Sequence, residues 1–197
     1  MTKNATNQPV CPPSDDPAYD LEIEGKAGID PCLSDDARRQ FRNTLGQFAT
    51  GVTAMTTLAP NGERIGITVS SFNSLSLDPP LILWSLARSA SSFPCFQVRQ
   101  PFAVNVLSAD QEHLARQFAR VGAEKFEGVG LHTGLDQVPL IEGCVVYLEC
   151  LTEARYPGGD HDIIVGRVRR IYNIGKAPLL FHGGILRSLR DMGLNGV

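Results

Sequence analysis

Ile65-Gly66-Ile67-Thr68-Val69-Ser70-Ser71-Phe72-Asn73-Ser74-Leu75-Ser76-Leu77-Asp78-Pro79-Pro80-Leu81-Ile82-Leu83-Trp84-Ser85-Leu86 is the stretch from which the fold class can be read. Ile65 to Phe72 has the β-branched composition of a strand, and Leu81 to Leu86 is a short apolar run of strand length. Asp78-Pro79-Pro80 between them cannot sit in a central strand, because proline has no N–H to give a ladder, so it marks a sharp connection. Strand, turn and strand follow one another with a hairpin-type link, which points to antiparallel neighbours.

The same grammar extends outward. Gly51 to Thr57 is rich in β-formers and leads into Pro60-Asn61-Gly62, whose Asn-Gly pair is a hairpin signal ahead of Ile65. Pro101 to Leu107, Gly143 to Ala154, Asp162 to Tyr172 and Pro178 to His182 are further strand candidates. Two helices are expected. Ser34-Asp35-Asp36 offers an N-cap and an acidic first turn, and Ala37, Phe41, Leu45 and Phe48 follow at helical spacing, a stripe expected to face a core. Ser108-Ala109-Asp110-Gln111 matches a capping box, with Leu114, Phe118 and Val121 continuing its face. Strands outnumber helices, so the chain reads as mainly β, a closed or nearly closed antiparallel sheet with a few helices outside it.

At 197 residues, 43% hydrophobic and 20% charged, the chain suits one domain or two small ones with an ordinary core. No run approaches the ~18 apolar residues of a membrane helix. The start of the chain is polar and acidic, unlike a secretory signal. A net charge of −3 without a basic block makes nucleic acid a poor partner. Residues 1–33 carry two basic against six acidic side chains and five prolines, so they read as a flexible tail before a domain at 34–197. Five cysteines, Cys11, Cys32, Cys95, Cys144 and Cys150, form no C-x-x-C pair. They read as buried free thiols in a reduced, cytosolic setting, and Cys144 and Cys150, an even number apart, would share one face of a strand.

The usual cofactor signatures are missing: no G-x-G-x-x-G, no G-x-x-x-x-G-K-[ST] and no G-x-S-x-G occurs. The four histidines show no metal-binding spacing, so no metal site is expected. Thr68 to Ser76 gathers five hydroxyls and an amide beside an apolar strand. Such groups can reach the polar rim of a planar heterocycle, or they can be the solvated face of an edge strand. Arg88-Ser89-Ala90-Ser91-Ser92-Phe93-Pro94 ends a strand and opens what Pro94 would suit as a first helical turn. Amides, hydroxyls and a guanidinium there would make an anion site, and plain capping by Ser92 is the competing reading. In Gly158-Gly159-Asp160-His161 the glycines permit a tight turn and Asp160 can orient the imidazole, unless the segment is only a surface hairpin. Lys125-Phe126 would by itself be a solvated lysine beside a core aromatic.

Six segments stand in order across roughly residues 36 to 190: Gln47 to Thr53, Ser71 to Leu81, Phe102 to Leu107, Lys125-Phe126, Gly159-Asp160-His161 and Pro178 to His182. Together they resemble the flavin reductase-like family, the small reductase components of two-component flavin-dependent monooxygenases. The resemblance implies an FMN-binding split β-barrel, antiparallel and of Greek-key type with a few flanking helices, and usually a homodimer with flavin near the subunit interface. By position it implies that Ser70, Ser71, Phe72 and Asn73 line the flavin ring, with Ser76 close by. Arg88, Ser91 and Ser92 would hold the flavin phosphate, and Lys125 and Phe126 would complete that site. His161 and Phe181-His182-Gly183-Gly184 would meet the nicotinamide nucleotide. Family members vary at positions 70 and 73.

The implied activity is NAD(P)H-dependent reduction of FMN or FAD, with reduced flavin passed to a separate oxygenase. The flavin would supply the electron-accepting chemistry and the protein the alignment. His161 is then the candidate catalytic residue, as an aligning group for the nicotinamide rather than a proton donor. Two alternatives stay open: a flavoprotein that retains its flavin and reduces a quinone, a corrinoid or a metal chelate, and a flavin-binding electron carrier without turnover.

Overall fold

The computed structural model describes residues 22–122, 124–189, 191 and 193. The chain divides into two compact units, Met1–Phe48 and Ala49–Val197.

In the first unit, the expected tail lies outside the described residues up to position 21. Beyond it, β1 (Glu22–Ile23) and β2 (Lys26–Ala27) form a small antiparallel ribbon. Cys32 is disulfide-bonded, which corrects the reading of all five cysteines as free thiols. Helix α1 (Asp35–Leu45) starts where the sequence places it, since the Ser34 side chain accepts the Ala37 N–H at 3.0 Å. Its apolar stripe is not covered, however. Ala37 is buried, whereas Phe41 is 50%, Leu45 57% and Phe48 74% exposed. Helical spacing marks an apolar face but not what will lie against it.

The second unit is antiparallel throughout. In chain order its strands are β3 (Thr50–Gly51), β4 (Thr53–Leu58), β5 (Arg64–Val69), β6 (Asn73–Ser76), β7 (Leu81–Ala87) and β8 (Pro101–Val106). Helix α2 (Glu112–Ala119) follows, then β9 (Leu131–Thr133), β10 (Pro139–Ile141), β11 (Val146–Gly158), β12 (His161–Asn173), β13 (Leu180–His182) and β14 (Ile185–Arg187). Seven strands make one sheet in the order β5-β4-β8-β11-β12-β7-β6. The short strands β9 and β10 form a hairpin, and β14-β13-β3 a separate three-stranded ribbon. Strands β6, β9, β10 and β14 were not foreseen, being too short for their periodicity to be read.

Five strands feed one enclosed core. Met55 of β4, Trp84 and Leu86 of β7, Phe102 and Val104 of β8, Cys150 of β11 and Ile164 of β12 pack together there with Phe96. Trp84 and Phe96 meet edge to face with ring centroids 4.9 Å apart, a favourable geometry for aromatic quadrupoles. The alternate residues of β4 and β8, Ala54 and Ala103, join a second core with Leu114, Ala115 and Phe118 of α2 and Leu140 and Ile141 of β10. Both faces of β4 and β8 are therefore covered, which explains why Phe102-Ala103-Val104 is apolar without alternation. Cys144 belongs to the second core and Cys150 to the first. The shared face expected for them fails because Cys144 precedes β11 and is not on the strand. Burial pushes both thiols up to about 12. Helix α2 begins later than the capping box implied: Gln111 does reach back to the Ser108 N–H at 3.0 Å, but the Ser108 hydroxyl bonds Asp110 and the Gly143 carbonyl. Val121 lies beyond the helix and is 97% exposed.

A small polar cluster is buried beside the second core. Asn105 of β8 is fully buried; its amide donates to the Ala54 carbonyl and the Thr56 hydroxyl, each at 2.9 Å, and accepts the Ile141 N–H at 2.8 Å. It thereby ties β4, β8 and β10 together. Asn105→Leu, near in volume, would strand the Ile141 N–H and should cost about 2–3 kcal/mol in urea unfolding, with faster amide exchange at Leu140 and Ile141. An unchanged midpoint would show that the amide is dispensable.

Candidate functional site

Strand β5 carries Gly66, and helix α2 comes so close there that a Cβ would lie 2.5 Å from the Phe118 ring. Phe126, in the loop after α2, stacks edge to face on Phe118 with centroids 4.9 Å apart. Lys125 beside it is tied down: its ammonium donates to the Gly66 carbonyl at 3.0 Å and to the Phe118 carbonyl at 3.1 Å. Burial lowers its pKa from the usual lysine value. The expectation of a solvated lysine beside a core aromatic is half met, since the aromatic packs as expected and the lysine does not point freely into water.

This corner opens into a cavity of about 940 Å³, within the range of small-molecule sites. Ser91, Ser92, Lys125 and Phe126 all line it, together with Arg64, Gly66 and Cys95. Ser92 is 6% exposed, and its hydroxyl has no hydrogen-bond partner among the described residues. The helix expected after Pro94 is a single 3-10 turn, Phe93–Cys95, and Ser92 makes no side-chain cap to it. The helix-terminus argument for an anion site therefore falls, because so short a turn has little dipole. What remains in the lining is Ser91, the unpartnered buried Ser92 hydroxyl and the cations Arg64 and Lys125, beside the carboxylates Glu63, Glu124 and Glu127.

Arg88, expected at the phosphate, holds a specific position. Among the described residues it is not in the cavity lining. Its Nε donates to Asp162 Oδ1 at 2.8 Å, and its backbone N–H donates to the Asp160 carbonyl at 3.0 Å. Arg155 Nη2 holds the other oxygen of Asp162 at 2.9 Å. The hydrogen bond from Arg88, then that from Arg155, keeps the Asp162 carboxyl below its usual pKa. Gly158 to His161 is the β11–β12 turn, with Gly159 at φ 66°, a left-handed value glycine adopts without cost. His161 Nδ1 lies 2.7 Å from Asp160 Oδ1, so the orienting contact expected within Gly-Asp-His is present. That hydrogen bond lowers the Asp160 pKa. Across the ladder His161 faces Ala87, the residue before Arg88.

The polar cluster at 70–76 is placed differently. Ser70 lines a second cavity of about 290 Å³, with Thr68, Val69, Ala115, Phe181 and Gly184. Strand β5 is common to both cavities, through Arg64–Gly66 for the first and Thr68–Val69 for the second. Phe181 and His182 end β13, and Gly183 and Gly184, at φ 59° and 80°, make the tight turn into β14. Phe72 packs against the enclosed core, while Asn73 and Ser76 stand on the edge strand β6. Ser71 is committed to the backbone: its hydroxyl donates to the Ser85 carbonyl at 3.2 Å and accepts the Ser85 N–H at 2.9 Å. It takes the place of a ladder bond to β7 just before β6 begins. Arg155 and Asp162 were missed by the sequence reading. They are seven residues apart in a charged stretch, and only the hairpin register makes them neighbours.

These features define a split-barrel fold with a cavity of small-molecule size, lined in part by hydroxyls. A model described as "Flavin reductase like domain" matches residues 45–190, and the chain belongs to that family. Among curated proteins it is 47% identical over 146 residues to an FMN reductase (NADH), SmoA, of Agrobacterium fabrum, covering 74% of this chain and 83% of the relative. It is 35% identical over 147 residues to the reductase subunit HsaB of a flavin-dependent monooxygenase from Rhodococcus jostii, covering 74% and 75%. Among solved structures, the Streptomyces globisporus NADH:FAD oxidoreductase SgcE6, in complex with NAD and FAD fragments, superposes with a TM-score of 0.75 at 37% identity, covering 82% of this chain and 96% of that one.

The bonds of Ser71 generate a test that separates structure from ligand binding. Ser71→Ala should lower stability by about 1–3 kcal/mol, because it leaves a strand N–H without its partner. Flavin affinity measured well below the melting transition should change less than twofold. Unchanged stability with weakened flavin would return Ser71 to the ring contacts.

Proposed function

We propose that the protein is an NAD(P)H-dependent flavin reductase that reduces FMN or FAD and releases the reduced flavin to a separate monooxygenase component. The observation that carries this is the meeting of Ser91, Ser92, Lys125 and Phe126 in one cavity, with the Ser92 hydroxyl buried and unpartnered. When bound, the flavin supplies the electron-accepting ring and the nicotinamide nucleotide the hydride. Ser91 and Ser92 would hold the flavin phosphate, with Arg88 adding charge from the neighbouring segment. Phe126 would pack against the flavin, and Lys125 would keep that wall in place through its two carbonyl contacts. His161, oriented by Asp160, would align the nicotinamide, as would Phe181 to Gly184, and alignment is the largest contribution available without covalent chemistry. Ser70, Asn73 and Ser76 keep free faces for the flavin ring, whereas Ser71 and Phe72 act by supporting the strand beneath them.

We further propose a homodimer. Leu75 and Leu77 near the β6 edge are 48% and 95% exposed, and the register neighbours Tyr156 and Ile163 are 57% and 37% exposed. A second copy would cover such a face. Among the described residues no helix is long and apolar enough to cross a membrane. The free thiols Cys95, Cys144 and Cys150 favour a cytoplasmic setting, while the Cys32 disulfide does not follow from it.

The deciding measurement is steady NADH and NADPH oxidation with added FMN, FAD or riboflavin. Oxidation that rises with free flavin supports the reductase. Flavin that copurifies and is reduced but not exchanged favours a retained-flavin enzyme acting on another acceptor. Tight flavin without nicotinamide oxidation favours an electron carrier.

Ser92→Ala sharpens the site. Removing an unpartnered buried hydroxyl should leave stability unchanged or raise it by about 1 kcal/mol, while FMN binding weakens roughly tenfold and riboflavin binding does not. Equal affinity for FMN before and after would exclude Ser92 from the phosphate contacts.

A further inference from the structure

We propose that Asp162 is a positioning residue of the flavin site, setting the Arg88 guanidinium for the phosphate and fixing the whole 88–96 segment through Arg155. The proposal rests on the reading of Arg88, Ser91 and Ser92 as phosphate contacts.

Asp162 is the second residue of β12, opposite Leu86 of β7 and Pro157 of β11. This face of the sheet carries Leu86 and Ile164 into the enclosed core, so the carboxylate sits at the end of that core and its side chain is only 13% exposed. A carboxylate there persists only when it is fully paired. Its partners come from two different places. Arg88 Nε reaches one oxygen from the end of β7, and Arg155 Nη2 reaches the other from β11.

Arg155 does more than neutralise. Its side chain is 10% exposed, its guanidinium lies 4.2 Å above the centre of the Phe93 ring, and its Nη1 donates to the Phe96 carbonyl at 3.2 Å. Such a stacked, forked contact is specific to a planar guanidinium. The segment from Arg88 to Phe96 is thus gripped at its start by Arg88 and at its end by Arg155, and both grips converge on one carboxylate. Ser91 and Ser92 hang between the two fixed points.

The charge arithmetic leaves a purpose for this arrangement. Two guanidiniums against one carboxylate leave a surplus positive charge. Arg88 is the exposed member, with 45% of its side chain accessible, and its two Nη groups have no partner among the described residues. Holding Nε fixes the plane of the fork before any ligand arrives, which removes the rotamer cost of ordering a long side chain on binding. The same carboxylate follows His161 directly in sequence, and the Arg88 N–H is bonded to the Asp160 carbonyl. The nicotinamide turn and the phosphate segment are therefore one mechanical piece.

The test uses the full-length protein and flavin fluorescence, comparing FMN with riboflavin, which lacks the phosphate. Asp162→Asn keeps the shape and removes the charge. FMN affinity should fall about tenfold, with riboflavin affinity within twofold. Arg88→Ala should do the same, and Arg88→Ala combined with Asp162→Asn should cost clearly less than the sum of the two, because much of the carboxylate's effect runs through Arg88. A wild-type protein that binds FMN and riboflavin equally would sink the phosphate reading itself. A wild type that discriminates, beside an Asp162→Asn variant that weakens both flavins alike or adds fully to Arg88→Ala, would overturn only the positioning role. Should Asp162→Asn not fold, Arg88→Lys carries the same decision: it keeps the charge and loses the forked Nε contact. Loss of FMN-over-riboflavin preference in it supports the proposal, and retained preference overturns it.

Discussion

The register between β4 and β8 is the constraint on which the rest of this domain depends, and one buried amide sets it. Asn105 must face the core beneath α2 and β10, because only there do the Ala54 carbonyl, the Thr56 hydroxyl and the Ile141 N–H converge on it. A slip of one residue would turn the amide into the aromatic core of Trp84, Phe96 and Phe102, where nothing could satisfy it. With β4 fixed, the tight hairpin fixes β5. That places Gly66 under Phe118, and the Gly66 carbonyl within reach of Lys125. The wall of the larger cavity is thus a consequence of a hydrogen bond on the same face of the sheet, two strands away.

The proposed flavin site separates into parts with different physical characters. The proposed phosphate end would combine the buried Ser92 hydroxyl with the paired Asp162 carboxylate, whose partner Arg88 stays 45% exposed. The proposed ring end would lie along the edge strand β6, where Leu75 stays exposed. Two cavities share β5, and residues expected to act together are divided between them. Ser70 and Phe181 line the smaller one, Ser92 and Lys125 the larger. On the proposed reading, a flavin that leaves after reduction would suit such a site, held by its phosphate and free to exchange at its ring.

Several expectations were met because they rest on local chemistry. The Ser34 cap, the hairpin at Asn61-Gly62, the turn at Gly158–His161 and the Asp160–His161 contact each depend on residues close in the chain. Expectations that reached beyond neighbours did less well. Pro94 suggested a helix, and the chain forms one 3-10 turn, because the segment is stretched between Arg88 and Arg155. The Ser71 hydroxyl looked available, and it closes a gap between strands instead.

By itself the sequence determined the fold class, the order of the main strands and the family, because alternation, turn residues and short motifs are written along the chain. It also named Ser91, Ser92, Lys125, Phe126 and His161 as candidates. Only the tertiary structure decided which of these meet, that Lys125 is pinned to two carbonyls, and that one carboxylate serves both Arg88 and Arg155. Those facts depend on the register of strands far apart in sequence, and a hydrogen bond across a ladder leaves no periodic mark in the chain that makes it.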